Sequence, residues 1–369
     1  MSTLSNVYFT NLRSHAEESR LTKLKKVIMA AGIGKLDVDG KFVAIKMHFG
    51  EPGNLTFLRP NYAKVVADVI KEHGGKPFLT DCNTLYVGGR KNALEHMDSA
   101  NLNGFNPQTT GCQIIIADGL KGSDEASIPV EGGVYVKEAK IGRALADADV
   151  IISLAHFKGH EATGFGGTLK NLGMGGGSRA GKMEQHCDGK PDVDQALCIG
   201  CGACRRICAN DAPQIVNHKC HIDHDKCVGC GRCIAVCPKD AIANHDSSSN
   251  DKLNCKISEY AKAVIDGKPA FFINLVIDVS PNCDCHSEND TAIVPDIGFF
   301  ASYDPVALDR ACCDAVNKAT PMPNSTLSDQ KPMDDNLDTN HPDTNWRVGL
   351  EHAEHIGLGT QAYHLVDIS

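Results

Sequence analysis

"DVIISLAHF", residues 149–157, is a strand-like apolar segment, and others like it recur along the chain. Further strand-like segments occupy 6–10, 41–49, 76–82, 112–119, 270–279, 292–301 and the closing "AYHLVDI", 362–368. Helix-like spacing of apolar residues fills the intervals at 14–32, 60–73, 91–101, 139–147, 255–266, 304–319 and 345–356. Alternation of this kind predicts an α/β fold: a largely parallel sheet with helices on both faces.

Composition narrows the class of protein. The 369 residues are 42% apolar and 22% charged, which is ordinary for a globular protein. The net charge of −9 provides no basic field for nucleic acid. The first residues lack the apolar core of a signal peptide, and no uncharged apolar stretch reaches the roughly 18 residues of a membrane span. We expect a cytoplasmic protein without a membrane or nucleic-acid partner.

Seventeen cysteines are the most unusual feature of the composition. In a short secreted chain they would indicate disulfides, but this chain is long and shows no export signal. Reduced thiolates that bind metal are the better interpretation. So many thiols also hint at an anaerobic or strongly reducing cell.

Two copies of one motif carry the clearest chemistry. "CIGCGACRRIC" (198–208) and "CVGCGRCIAVC" (227–237) both have the spacing C-x2-C-x2-C-x3-C, typical of a bacterial ferredoxin with two [4Fe–4S] clusters. The fourth cysteine of each run binds the other cluster in such proteins. One cluster is therefore assigned to Cys198, Cys201, Cys204 and Cys237. The other is assigned to Cys227, Cys230, Cys233 and Cys208.

The repeat interrupts the α/β pattern, which indicates an insertion. We expect an α/β body in two parts, 1–189 and 247–369, around a ferredoxin-like α+β domain at 190–246. Between the two halves, Cys220, His218, His221 and His224 fit no cluster role and are expected in surface turns. The Pro/Asn/Asp-rich segment 320–345 is expected to be a long surface loop.

Polar residues follow several predicted strands, where open α/β sheets bind ligands. The loops after them begin near His48, Asp81 and His156, and a fourth contains "PNCDCH", residues 281–286. Residues two apart in an extended segment face the same way, so Cys283 and Cys285 could bind one metal together. His286 could add a ligand, and so could His156, His160 or His186; iron, zinc or nickel would suit such a set. The alternatives are reactive thiols or ordinary turn cysteines.

The glycine-rich stretch 164–182 holds eight glycines with Lys170, Arg179 and Lys182. Backbone amides and three cations could bind a phosphate or carboxylate there, with Asn171 as a further polar contact. The P-loop pattern is incomplete, because Met183 stands where Ser or Thr is required. A flexible loop packed against the inserted domain is the equal alternative.

Several long motifs together resemble one family. They are "KMHFGEPGN" (46–54), "AHFKGHEATGFGGTLKNLGMGGGSRAGKMEQH" (155–186), "SPNCDCH" (280–286), "VPDIGFFASYDPVALD" (294–309) and "GLGTQAYHLV" (357–366). The chain resembles the family called domain of unknown function 362, over nearly its whole length. The resemblance implies an α/β body with a two-cluster ferredoxin segment in this place. It also implies a shared site that includes His48, His156, His160, Lys170, Cys283 and Cys285.

Three functions are consistent with these patterns. In the favoured one, an oxidoreductase passes low-potential electrons from two [4Fe–4S] clusters to a site on the α/β body. That site would have His156 or His160 as proton carriers, Cys283 and Cys285 as redox thiols or ligands, and a further metal or anionic cofactor. The others are an electron carrier without its own active site and a protein that delivers metal or clusters. A redox partner protein is expected in each redox case, and a homodimer is expected.

Overall fold

The computed structural model describes residues 4–85, 88–186, 190–208, 210–227, 229, 232–243 and 250–369. Its strands are β1 Ser5–Asn11, β2 Phe42–Lys46, β3 Lys76–Asp81, β4 Gln113–Ile116, β5 Glu125–Pro129, β6 Glu138–Gly142, β7 Val150–His156, β8 Lys158–His160, β9 Gly164–Gly166, β10 Asp192–Val193, β11 Pro213–Val216, β12 Lys219–Ile222, β13 Ile242–Ala243, β14 Ala270–Val276, β15 Gly298–Ser302 and β16 Tyr363–Asp367. Its α-helices are α1 Arg20–Ala30, α2 Pro60–Glu72, α3 Ala93–Leu102, α4 Pro107–Thr110, α5 Arg143–Asp147, α6 Thr168–Gly176, α7 Arg179–His186, α8 Ala203–Ile207, α9 Arg232–Ala235, α10 Asn250–Ile265, α11 Pro305–Lys318, α12 Thr326–Asp329, α13 Asn336–Asn340 and α14 Trp346–His355.

Eight strands form one sheet in the order β16-β1-β15-β14-β7-β2-β3-β4. The run from β14 to β4 is parallel throughout, and β1 is parallel to β16. β15 is antiparallel to both of its neighbours. The predicted α/β fold with a mostly parallel sheet is therefore confirmed.

Helices cover both faces of the sheet, because successive residues of each strand point to opposite sides. On β7, Ile151 packs with one hydrophobic cluster, which contains residues of α6, α10, α11 and α14. Its neighbours Val150 and Ile152 pack with the other cluster, which contains residues of α1, α2 and α3. Burial on both faces explains why this strand is apolar at nearly every position.

Three segments differ from their predicted structure. Residues 139–147 were expected to be a helix, but the helix α5 begins only at Arg143, and the residues before it belong to β6. The strand expected from residue 292 begins at Gly298. The expected surface loop at 320–345 contains α12 and α13, whose Leu327 and Leu337 are buried.

The prediction of a flexible loop at the glycine-rich stretch is also wrong, because most of the stretch lies in α6 and α7. Its glycines allow helices to approach their neighbours closely. A Cβ on Gly173 would lie 2.0 Å from the carbonyl oxygen of Ile257 on α10, and one on Gly181 would lie 2.5 Å from that of Lys140. The glycines are therefore required by packing rather than by flexibility.

The described residues between 190 and 243 form a small lobe with its own core. Strand β10 pairs with β13, and β11 pairs with β12, both antiparallel, while α8 and α9 contact each other. Met183 of α7 and Leu85 pack into the lobe's core beside Cys198 and Cys204. Lys91 adds a salt bridge to Asp240, with Nζ and Oδ1 2.8 Å apart.

Within the described ranges, we find no helix with both the length and the apolar character needed to cross a membrane.

Candidate functional site

The loops after β2, β7 and β14 meet at the carboxyl edge of the sheet, because these strands are neighbours in space. The backbone N–H of Glu51 donates to the carbonyl of Asp284 at 3.0 Å, and that of Gly159 donates to Ser280 at 2.9 Å. Asn54 further donates from Nδ2 to the carbonyl of His286 at 3.1 Å. These bonds fix the segment 280–286 against both neighbouring loops, and we call the group of side chains around it the rim site.

Cys283 lies at the centre of the rim site and is only 2% exposed. The Nζ of Lys170, on α6, is 3.1 Å from its Sγ. A hydrogen bond from Cys285 holds the pKa of Cys283 well below its ordinary value, with further help from Lys170 and His160. The same bond raises the pKa of Cys285. The two shifts have opposite directions, so Cys283 loses its proton more readily than Cys285.

Asp284, which stands between the two cysteines, anchors the segment 280–286. Its carboxylate is 2.9 Å from Nδ1 of His156 and 3.1 Å from Nζ of Lys158. Although burial opposes it, the charges of these two residues hold the pKa of Asp284 below its ordinary range. The Nε2 of His156 lies 2.8 Å from the carbonyl oxygen of Ile277, so both of its ring nitrogens already have partners. Asp284 and Lys158 are site residues that the sequence reasoning missed.

Three potential metal ligands meet at the outer side of the rim site. One ligand atom from each of Glu161, Cys285 and His286 lies within 4.8 Å of the other two. Nε2 of His286 is 2.9 Å from Oε1 of Glu161, and this bond raises the pKa of His286. Both side chains are about two-fifths exposed, at 41% and 38%, so a metal could enter from solvent. A carboxylate, an imidazole and a cysteine that loses its proton when metal binds together suit zinc or iron.

Three more histidines that were predicted as site residues are His48, His160 and His186. Nδ1 of His48 accepts the backbone N–H of Gly50 at 2.9 Å, and burial followed by the charge of Arg90 lowers its pKa well below the ordinary value. Nδ1 of His160 accepts a backbone N–H at 3.0 Å, which leaves Nε2 as the proton-bearing atom beside Cys283. Burial and then the charges of Lys170 and His160 lower the pKa of His186 to about 3. His48 and His186 are therefore neutral at pH 7.

The other predicted cofactor-binding residues are not brought into the rim site. Arg179 is buried and its guanidinium donates to the backbone carbonyls of Lys121, Thr84 and Lys91. The Nζ of Lys182 donates to the carbonyl of Gly177 at 2.6 Å. Both cations thus stabilise the backbone around the glycine-rich helices.

Asn171 serves the scaffold as well. Its Oδ1 accepts from Nζ of Lys46 at 2.9 Å, and its Nδ2 donates to Oγ of Ser153 at 2.8 Å. Lys46 also pairs with Asp81 at 3.0 Å, and both of these side chains are almost fully buried. Asn171 therefore connects α6 to β2 and β7 beneath the rim site, next to Lys170.

A small cavity, about 20 Å³ in volume, lies in the small lobe. It is lined by Cys198, Cys201, Cys204 and Cys237, with Gly200, Gly202 and Ile242 among its other walls. Backbone N–H groups point at two of the sulfurs: Cys220 N lies 3.3 Å from Cys198 Sγ, and Ala241 N lies 3.3 Å from Cys237 Sγ. Four thiols and N–H donors around one cavity fit the needs of a [4Fe–4S] cluster, whose potential depends on hydrogen bonds to sulfur.

The structure describes three of the four cysteines predicted to bind the second cluster. Cys208, Cys227 and Cys233 are each half-buried. Cys230 lies outside the described residues.

Cys220 corrects an expectation from the sequence. It was expected in a surface turn, but it lies in β12, is 1% exposed and lines the cavity of the small lobe. Cys220 pairs with Ile215 across β11 and β12, and both side chains pack in the core of the small lobe. Only the hairpin register could have identified this, because the residue stands outside both cysteine repeats.

Known proteins resemble parts of this chain. The Thylakoid-associated protein sll1697 of Synechocystis is 27% identical over 173 residues, which cover 44% of this chain and 48% of that protein. A crystal structure of a protein from Thermotoga maritima has 16% identity, a TM-score of 0.39, and covers 81% of this chain and 58% of the other. The lactate racemase apoprotein from Thermoanaerobacterium thermosaccharolyticum has 12% identity, a TM-score of 0.37, and coverage of 86% and 58%. The chain thus spans about half the length of the curated relative.

A family match covers most of the chain. The family described as "Domain of unknown function (DUF362)" matches residues 43–314. This range begins in β2, ends in α11, and includes the rim site and the small lobe. The chain therefore belongs to the DUF362 family.

Proposed function

We propose that this protein is an iron–sulfur redox protein. In this proposal the small lobe is a ferredoxin-like insertion that binds two [4Fe–4S] clusters, and electrons pass from it to the rim site. The clusters, when bound, supply low-potential one-electron transfer. The electrons would come from a cytoplasmic redox partner protein.

One observation carries this proposal. Cys237, from the second cysteine run, lines the same cavity as Cys198, Cys201 and Cys204 of the first. A fourth ligand from the opposite run is what the two-cluster arrangement requires. In two independent zinc ribbons, by contrast, all four ligands of each zinc would come from a single cysteine run.

Helix α7 supports a route from the lobe to the rim site. Met183 near its middle packs in the core of the lobe, beside Cys198 and Cys204. His186 at its end lies close enough to Lys170 and His160 for their charges to lower its pKa. A single helix of eight residues therefore runs from the core of the lobe to within range of the charges of the rim site.

At the rim site we propose a further metal bound by Cys283, Cys285, His286 and Glu161. Asp284 would hold the segment in place, as it is fixed by His156 and Lys158. Lys170 would neutralise the Cys283 thiolate, and the proton-bearing Nε2 of His160 would be available as a donor beside it. The site would act on a small molecule that reaches its exposed side.

Delivery of metal to another protein is the second candidate function. The exposure of Glu161 and His286 favours it, because a site open to solvent can release its metal to an acceptor. A catalytic centre that transfers electrons would retain its metal instead. Competition with a chelator separates the two functions: retention supports the oxidoreductase, and fast loss supports delivery.

The test is the iron, sulfide and other metal content of anaerobically purified protein. Two clusters require about 8 iron and 8 sulfide per chain. We expect the wild type to contain metal beyond this amount, and the double variant Cys283→Ala/Cys285→Ala to lose only the excess. The control is Cys112→Ala, which removes a buried thiol far from both motifs in sequence.

The outcomes separate the two parts of the proposal. Less than about 4 iron per chain in the wild type would reject the clusters. Cluster iron without any excess, equal in wild type and double variant, would reject the rim metal and leave an electron carrier without its own active site.

A further inference from the structure

The cavity of the small lobe contains a fifth thiol that no cluster assignment uses. The Sγ of Cys220 is 3.4 Å from the Sγ of Cys204, and both residues are buried. The register of β11 with β12 fixes this position, since Ile215 faces Cys220 across the hairpin. The backbone N–H of Cys220 also donates to Cys198, 3.3 Å away, which holds the strand against the cavity wall.

This proximity suits disulfide formation. A disulfide needs sulfur atoms about 2.05 Å apart, so the two atoms must approach by roughly 1.4 Å. Small rotations of two side chains can supply such a movement. Cys201 lines the same cavity and is exposed, so a small oxidant can enter from solvent.

We propose that Cys204 and Cys220 form a reversible disulfide that controls loading of this cavity. This inference rests on the proposed function, because it takes Cys204 as a cluster ligand. When the cavity holds no cluster, the disulfide removes one of the four thiolates that a cluster needs. Reduction by a dithiol restores the ligand set and permits loading.

The chemistry balances with hydrogen peroxide as the oxidant. The sulfur of Cys204 attacks one peroxide oxygen, the O–O bond breaks, and a sulfenic acid forms as water leaves. The sulfur of Cys220 then attacks the sulfenic sulfur, the S–S bond forms, and a second water leaves. Two thiols and one peroxide give one disulfide and two waters, and the two electrons reduce the peroxide.

The test uses the full chain, first freed of iron by a chelator under anaerobic conditions. The protein is treated with hydrogen peroxide, free thiols are alkylated, and disulfide-linked peptides are mapped by mass spectrometry. Iron and sulfide are then added with and without dithiothreitol. Wild type, Cys220→Ser and the control Cys255→Ser, which removes another buried thiol, are compared.

We expect a linked Cys204–Cys220 peptide in the wild type and the control. Iron uptake after oxidation should fall from about 8 to about 4 per chain and recover with dithiothreitol, whereas Cys220→Ser should retain most of its uptake. Pairing of Cys204 with another cysteine, or equal loss of uptake in Cys220→Ser, would overturn the inference. Failure of unoxidised protein to take up iron and sulfide would reject the proposed clusters instead, while the peptide map still reports on the disulfide.

Discussion

His352 should make the stability of this protein depend on pH above neutrality. The side chain lies on α14, 10% exposed, and its Nε2 is 2.8 Å from Oε1 of Glu259 on α10. Hydrogen bonds to Cys255 and to Glu259 raise the pKa of His352 to about 9. Glu259 is fully buried and also accepts backbone N–H groups from residues 134–136. The imidazolium thus joins two helices through a buried carboxylate.

The magnitude follows from the two pKa values. An unfolded histidine titrates near 6.5, so a folded pKa of about 9 corresponds to about 3 kcal/mol at 1.36 kcal/mol per pH unit. Because the folded pKa of this base is raised, its contribution is complete below about pH 6.5. It is lost as the pH rises through 9.

Urea unfolding of wild type and His352→Gln at pH 6 and pH 9.5 measures this contribution. Between the two pH values, the free energy of unfolding should fall by about 3 kcal/mol more in the wild type than in the variant, since glutamine does not titrate. His355→Gln is the matched control, because this residue is exposed and lies on the same helix. Equal losses in the wild type and His352→Gln would refute the reasoning.

Two further predictions concern the packing around α6. Gly173→Ala should destabilise the protein by about 1–3 kcal/mol in urea unfolding, because the added Cβ would lie 2.0 Å from the carbonyl oxygen of Ile257. The control Gly349→Ala should be neutral or slightly stabilising, because its added Cβ would lie 3.5 Å from its nearest neighbour, the Cβ of Asn254. Equal losses of stability in the two variants would count against the packing argument. Burial raises the pKa of Asp309, which accepts the N–H groups at the start of α6, to about 6. The folded acid holds its proton more tightly than the unfolded one. The free energy of unfolding should therefore fall by about 2 kcal/mol between pH 4 and pH 6 relative to Asp309→Asn, and parallel pH profiles of the two proteins would contradict this.

Local patterns predicted most of the secondary structure. The apolar strands near 41–49 and 149–157 and the helix near 304–319 were found close to their expected positions, because each depends on burial of nearby residues. The prediction of a flexible loop at the glycine-rich stretch, one of two equal alternatives, is wrong for the opposite reason. Glycine has low helix propensity, so its density here favoured a loop. The close approach of α6 to α10 explains why glycine stands at position 173 inside a helix.

The candidate sites divide in the same way. The regular spacing of Cys198, Cys201 and Cys204 and the "PNCDCH" segment identified thiols by short-range pattern alone. The contact of Lys170 with Cys283 joins residues 113 positions apart, and it exists because β14 lies beside β7 in the sheet. No local pattern encodes the order of the strands.

The sequence by itself thus determined the α/β class and the cysteine repeats of this protein, since both depend on residues close together along the chain. Tertiary structure decided that Glu161 joins Cys285 and His286, and that Cys220 faces Cys204. These groups depend on strand order and hairpin register, which are set by packing between distant segments. Their chemistry is therefore a property of the folded chain.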